Sequence, residues 1–255
     1  CDWSSDVCSS DLSDNHFLMQ ADHQEKSRRL LIFDLFDQIS NSGGTLIIGG
    51  DFFDFWFNYK NVMPSFYTDI IYELNKLNQN DVEIHFLAGN HDYWDFGLLS
   101  SLTGCIFHEG DFEFILDHKK ILVTHGDGLL SFDHGYRLMK KIIRSKTCIF
   151  LFGLLHPDWG CALARFVSTT EEKYDKIDKN HEKIKQEIQS FARNKWEEGY
   201  DTILVGHYHN TGFYESNDSK MIWLGDWLTK YTVTKYAQFE WSQVNWKEHQ
   251  KIIKD

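Results

Sequence analysis

The sequence predicts an α/β fold of two packed β-sheets with helices outside, interrupted by a helical insertion at about residues 129–198. Three observations predict it. Short apolar runs of strand character alternate with helical stripes in the first half of the chain. Five clusters rich in Asp, His and Asn each follow such a run directly. Between the strand groups, Leu129 to Glu198 reads as mostly helical.

The chain opens anomalously. Asp2 to Leu12 agrees, residue for residue, with one reading frame of a common sequencing adapter, so residues 1–12 are taken as an artefact replacing the native start. The stretch has neither structural period, and no basic residue precedes an apolar core, so a signal peptide is not expected. Without Asp2, Asp6 and Asp11 the formal charge moves from −12 to −9. A Ser/Asp-rich segment is a poor strand former, and we expect a weakened first strand leading into Ser13.

Further along, Leu31, Leu35 and Ile39 mark a helix over Glu25 to Ile39, which the Asn41-Ser-Gly-Gly44 cluster ends. Thr45 to Ile48 is a buried strand. Phe66, Ile70, Leu74 and Leu77 repeat the helical stripe, and Val82 to Ala88 is the next strand. Phe112 to Leu116 and Ile121 to Thr124 flank a turn as a hairpin. Ile203 to Val205, Met221 to Leu224 and Thr232 to Trp241 supply later strands, and Ile177, His181, Ile184, Ile188 and Phe191 form an apolar seam within the insertion. With two prolines and no repeat, residues 13–255 read as a single domain.

Composition narrows the function classes. There are 38 acidic and 26 basic residues, which argues against nucleic acid as a partner. Five cysteines without a CxxC pair fit reduced thiols and a cytoplasmic location. The apolar run Cys148 to Leu155 is far short of the roughly 20 residues of a membrane span, although it can lie against a membrane face.

The five clusters are Ser13-Asp-Asn-His16, Gly50-Asp-Phe-Phe-Asp54, Gly89-Asn-His-Asp92, Thr124-His-Gly-Asp127 and Gly206-His-Tyr-His209. Strand ends on one edge converge, and adjacent glycines let the chain turn sharply there. Asp14, His16, Asp51, Asn90, His125, His207 and His209 then offer oxygen and nitrogen donors with no thiolate, suiting manganese, iron or zinc better than calcium. Two cations about 3.5 to 4 Å apart need one bridging ligand and terminal ligands on each, a demand seven donors meet.

This ordered set resembles the calcineurin-like metallophosphoesterases from Ser13 to about Asp226. The resemblance implies a calcineurin-like four-layer αββα sandwich with a helical lid. It implies Asp14, His16 and His209 as ligands of the first metal, Asn90, His125 and His207 of the second, and Asp51 bridging. It also implies His91 as the catalytic non-ligand histidine, with Asp92 or Asp54 holding its tautomer; capping of loops is the plainer role for those two acids. Around the fourth cluster, His125-Gly-Asp127, Asp133-His-Gly-Tyr136 and the basic Arg137, Lys140, Lys141 and Arg144 resemble the UDP-2,3-diacylglucosamine pyrophosphatases. So do Gly50 to Phe57, His156-Pro-Asp-Trp-Gly160 and Leu224-Gly-Asp-Trp227, in the form found in Bacteroidetes-type chains. His91 and His207-Tyr-His-Asn-Thr211 depart from that family's usual pattern.

That resemblance implies hydrolysis of a lipid-linked nucleotide sugar in lipid A biosynthesis, with two divalent ions, manganese foremost and iron or zinc as alternatives. It implies Asn90, Asp127, Asp133, Tyr136, Arg137 and Lys140 as substrate contacts. Ile142, Ile143, Ile149, Phe150, Leu151, Phe152, Leu154 and Leu155 either line an acyl chamber or fasten the insertion to the main domain. Contact with the cytoplasmic face of the inner membrane goes with the chamber. A phosphodiesterase or phosphatase for a soluble nucleotide is the alternative enzyme, and a binding module that has lost its metals is the non-enzymatic one.

Overall fold

The computed structural model describes residues 9–20, 22–59, 62–167 and 181–254. Six strands form the first sheet, in the order β11 (Glu240–Asn245), β10 (Thr232–Ala237), β1 (Ser9–Leu12), β2 (Thr45–Ile48), β3 (Glu83–Leu87) and β4 (Ile106–His108). The second sheet runs β5 (Phe112–Leu116), β6 (Lys119–Thr124), β7 (Thr202–Val205), β9 (Ser219–Leu224) and β8 (Thr211–Ser216). Within them β1 to β4 are parallel, as are β6, β7 and β9.

Period-two alternation splits each strand between two cores. Ile47, Leu87, Val123, Leu204 and Ile222 meet between the sheets with Tyr236 and Trp241. Leu46 and Ile48 face the other way, toward α1 (His23–Ser42) and α2 (Thr68–Gln79), where Ile32, Leu35, Phe36, Ile70 and Leu74 are buried. On the far side of the second sheet, Leu122, Ile203 and Val205 pack against Ile184, Ile188 and Ala192. The layers therefore run helix, sheet, sheet, helix, and burying each such aliphatic side chain contributes about 1.5 to 3 kcal/mol.

Helix α1 begins where Asp22 accepts the Glu25 N–H at 2.8 Å, and it stops at Gly43, whose φ of 72° a side chain would disfavour. Strand β1 occupies a central position despite its composition. Asp11 is fully buried, in register with Ile47 of the inter-sheet core.

Two expectations need correction. Thr232 to Trp241 is a hairpin rather than one strand: Gln238 and Phe239 adopt φ of 52° and 64° and turn the chain without a glycine to announce it. The helical stretch is also not uniform. Helices α4 (His134–Ile143) and α5 (Lys146–Gly153) bury no side chain completely, and α6 (Pro157–Val167) follows them. Helix α7 (His181–Glu197), by contrast, forms the outer layer of the second sheet. In the expected seam Ile184 and Ile188 are buried and His181 is exposed, while Ile177 lies outside the described residues. Beyond β11, α8 (Trp246–Lys254) closes the first sheet's helical layer through Trp246.

Candidate metal centre

The carboxyl ends of β1, β2 and β3 from one sheet, and of β6 and β7 from the other, meet at one rim. That rim is where an α/β sheet leaves a crevice for ligands. Leaving the strands demands unusual backbone: Asp14, His16, Asp51, His207 and His209 all have φ between 43° and 66°. For residues carrying a Cβ this costs on the order of 1 to 2 kcal/mol each. Ties between the loops hold them there, with Asp14 N–H donating to the Gly50 carbonyl (3.0 Å) and His16 N–H to that of Asp51 (2.9 Å). Gly89 and Gly206 permit the approach, since a Cβ on either would lie 2.2 Å from Asp51 Oδ1 or Ser13 Oγ.

Asp14, His16 and His209 form one group, their Nε2 atoms 3.9 and 3.8 Å from Asp14 Oδ1. Asp14, Asp51, His125 and His207 form a second. Asp51 Oδ2 stands between them, 3.7 Å from His16 Nε2 and 3.4 Å from His125 Nε2, while Asp51 Oδ1 accepts the His91 N–H at 2.8 Å. His125 donates Nδ1–H to the Gly49 carbonyl at 2.8 Å, leaving Nε2 toward Asn90 Oδ1 at 3.4 Å. All seven expected donors are thus in one neighbourhood: Asp14 belongs to both groups, Asp51 Oδ2 reaches His16 of the first as well as His125 of the second, and His91 joins His16 and Asp51 in a third group.

Two fully buried carboxylates this close need positive charge. Burial raises the Asp14 carboxyl, with His209 and His125 pulling it back. Burial would raise Asp51 too, yet His125, His91 and His16 hold it well below the carboxylate range. Against its own burial, Asp51 pushes the His125 imidazole up to about 10. Asp14 Oδ1, though buried, accepts no hydrogen bond. Buried anions, an unshared carboxylate oxygen and converging imidazole nitrogens fit divalent cations.

His91 lies edge-on to His16, ring centroids 4.7 Å apart. Its Nδ1 donates to the backbone carbonyl of Asp54 at 2.6 Å, so neither the Asp54 nor the Asp92 carboxylate sets its tautomer. Asp92 has a different task from the catalytic one expected. Fully buried, it accepts N–H groups of Gly89 and Phe52 at 2.7 Å, of Asp51 at 3.3 Å and of Phe53 at 3.4 Å, pinning two site loops together. Burial, with the Asp51 charge, pushes its carboxyl up to about 7 against the pull of those donors.

Among the expected substrate contacts, Asp127 gathers Tyr136 OH at 3.0 Å and Lys140 Nζ at 2.7 Å, and the Tyr136 ring is 5.9 Å from His207. Asp133 instead caps α4 through the Tyr136 N–H, and Arg137 turns away to the Ser131 carbonyl and His134. Arg144 takes the place expected of Arg137. Its guanidinium donates to the Gly89 carbonyl at 3.1 Å, reaches Asp127 at 3.4 Å and lies 3.9 Å above the Tyr93 ring. Its spacing, two turns beyond Tyr136 and one beyond Lys140 on a helix, was the available signal. Ile149 and Phe152 fasten the insertion to the core through Phe55 and Phe57, whereas Ile142, Phe150, Leu151 and Leu154 stay more than half exposed.

No family model matches the chain. A UDP-2,3-diacylglucosamine hydrolase of Porphyromonas gingivalis is 27% identical over 224 residues, covering 82% of this chain and 85% of the relative. One of Neisseria meningitidis is 29% identical over 231 residues, covering 86% and 90%, and one of Pseudomonas putida is 24% identical over 220. Solved structures are more distant: an archaeal phosphodiesterase has a TM-score of 0.46 at 17% identity, covering 93% of this chain and 99% of its own. The E. coli phosphoesterase Yfce has a TM-score of 0.44 at 14%, covering 94% and 99%. Over more than four-fifths of its length, this chain with a buried two-sheet Asp/His centre is similar to UDP-2,3-diacylglucosamine hydrolases.

Proposed function

We propose that this protein hydrolyses the pyrophosphate bond of UDP-2,3-diacylglucosamine, giving 2,3-diacylglucosamine 1-phosphate and UMP, with manganese as its preferred metal. The observation that carries the reading is the pair of Asp/His groups that meet at Asp14, with Asp51 Oδ2 between them, beside a helical insertion whose apolar side chains remain exposed. Asp14, His16 and His209 would hold one divalent cation and Asn90, His125 and His207 the other, with Asp51 between. Cations there supply Lewis acidity, making hydroxide available near neutral pH and offsetting charge that develops at phosphorus.

The chain's own side chains do the rest. With Nδ1–H fixed on the Asp54 carbonyl, His91 presents Nε2 as the ring atom that can stabilise a phosphate oxygen or pass a proton to the leaving oxygen. Lys140 and Arg144, drawn together by Asp127, set cationic charge beside the second-metal half, where a pyrophosphate carries its second negative group. Ile142, Phe150, Leu151 and Leu154 offer an apolar surface for two acyl chains and for the cytoplasmic face of a membrane. A soluble nucleotide has no use for that surface.

The test is UMP release from UDP-2,3-diacylglucosamine across a manganese series, beside a cyclic nucleotide. Turnover of the cyclic nucleotide with none of the lipid would favour the soluble-substrate enzyme.

A further inference from the structure

Helix α1 follows the first site loop, and its first two turns are unusual for a surface helix in burying Glu25, Arg28 and Arg29. A buried guanidinium is expensive unless every side of it is met, so what it meets is informative. Arg28, 4% exposed, donates to the carbonyls of Asn15 at 2.9 Å and His16 at 3.0 Å, the two peptide units that flank the His16 ligand. Its charge is balanced by Glu25, 3.1 Å from Nε. Glu25 in turn accepts the Leu18 N–H at 3.1 Å, on the far side of the same loop. The helix therefore holds the loop before and after Phe17, by a cation on its carbonyls and an anion on its amide.

A third tie comes from the Gly225-Asp-Trp227 motif, to which the catalytic reading gives no part. Trp227, fully buried, donates its backbone N–H to the Asp14 carbonyl and its indole Nε1–H to the Arg28 carbonyl, each at 3.3 Å. Asp14 and His16 are the two left-handed residues of this loop, at φ of 53° and 43°. A loop held in a sparsely populated conformation relaxes unless its surroundings over-determine it. Arg28 and Trp227 tie the chain at those two residues, and Glu25 holds it just beyond them at Leu18.

We infer that Glu25, Arg28 and Trp227 are positioning residues of the first-metal half, fixing Asp14 and His16 in the geometry that binds a divalent cation. They touch neither substrate nor metal and act through the ligands, as outer partners of metal-binding side chains do. The inference rests on the two-metal reading but not on the lipid substrate.

The experiment titrates Mn2+ into metal-stripped full-length protein by calorimetry, for wild type, Arg28→Met, the milder Arg28→Lys and Leu35→Ala. Leu35 is a fully buried residue of the same helix that faces the apolar core, so its variant reports lost stability alone. Wild type should bind two ions. In Arg28→Met one site should weaken by about 10- to 100-fold while the other is kept, and Arg28→Lys, a point charge without the fork that meets Glu25 through Nε and both carbonyls through one terminal nitrogen, should fall between. Hydrolysis of bis(p-nitrophenyl) phosphate by the Arg28 variants should recover in millimolar Mn2+. Unchanged Mn2+ affinity in both Arg28 variants, or an equal loss in Leu35→Ala, would overturn the inference. Failure of wild type to bind Mn2+ would instead sink the two-metal reading beneath it.

Discussion

Asp92→Asn separates two roles that the motif Gly89-Asn-His-Asp92 leaves equally open. The carboxylate accepts two short N–H bonds at 2.7 Å and two long ones at 3.3 and 3.4 Å, all from the loops that carry Asp51 and Asn90. An asparagine there turns one oxygen into an NH2 group facing N–H donors. At least the two bonds to that position are lost, each charge-assisted and worth about 1.5 to 3 kcal/mol, for a total of about 3 to 6 kcal/mol. At about 2 to 4 °C per kcal/mol for a chain of this size, the melting temperature should fall by about 6 to 24 °C. Melting curves are best taken at pH 8, above the value of about 7 to which burial pushes this carboxyl, so that wild type is measured with the anion. Activity should fall together with stability and recover in part at lower temperature. If Asp92 instead served His91 chemically, kcat would drop a hundredfold with the melting curve unmoved, and that outcome refutes the reasoning.

Two other changes have defined outcomes. Asp51→Ala removes the carboxylate lying between both donor groups, so phosphodiester hydrolysis should be lost and Mn2+ stoichiometry should fall below two; an active variant contradicts the shared position. His85 and His108, 2.9 Å apart and stacked on Phe112, are both held by burial below the usual imidazole value, with Glu83 partly opposing this at His85. Because the unfolded chain takes up protons first, stability should decline as pH falls below about 6.5, and melting curves from pH 7.5 to 5 should show a smaller decline in His85→Phe.

The donors were legible because each cluster follows a strand-like run, and parallel strands deliver their carboxyl ends to one rim. The end of α1 was legible for a similar reason: Gly43, within the Asn41 to Gly44 cluster, is a local signal acting on its own backbone. What the sequence hid depends on contacts across the fold. Asp92 reads as a partner of its neighbour His91, but its four donors come from loops up to 41 positions away. Spacing puts Arg144, and not Arg137, on one helix face with Tyr136 and Lys140, but only the course of α4 over the Gly89 loop shows that this face meets the site. The β10–β11 hairpin turns on Gln238 and Phe239, residue types that carry no turn signal. Helix α7 shares its polarity with the insertion, and its place on the second sheet is fixed by a partner, Ile203 to Val205, that follows it in the chain.

The site's geometry also constrains what the rest of the molecule must do. Five candidate donor residues in left-handed backbone cost on the order of 5 to 10 kcal/mol together, comparable with the whole net stability of a typical domain. Two buried carboxylates add their own desolvation. A fold can keep such a rim only if the loops are fixed from behind, and the buried charges of α1, Asp92 on three consecutive amides and the Cβ-free approach at Gly89 all lie behind the donors rather than among them. The converse holds for the insertion. Helices α4 and α5 bury nothing completely and touch the centre through Tyr136, Lys140 and Arg144. The strain is thus held by one set of residues, and the insertion meets the centre through another.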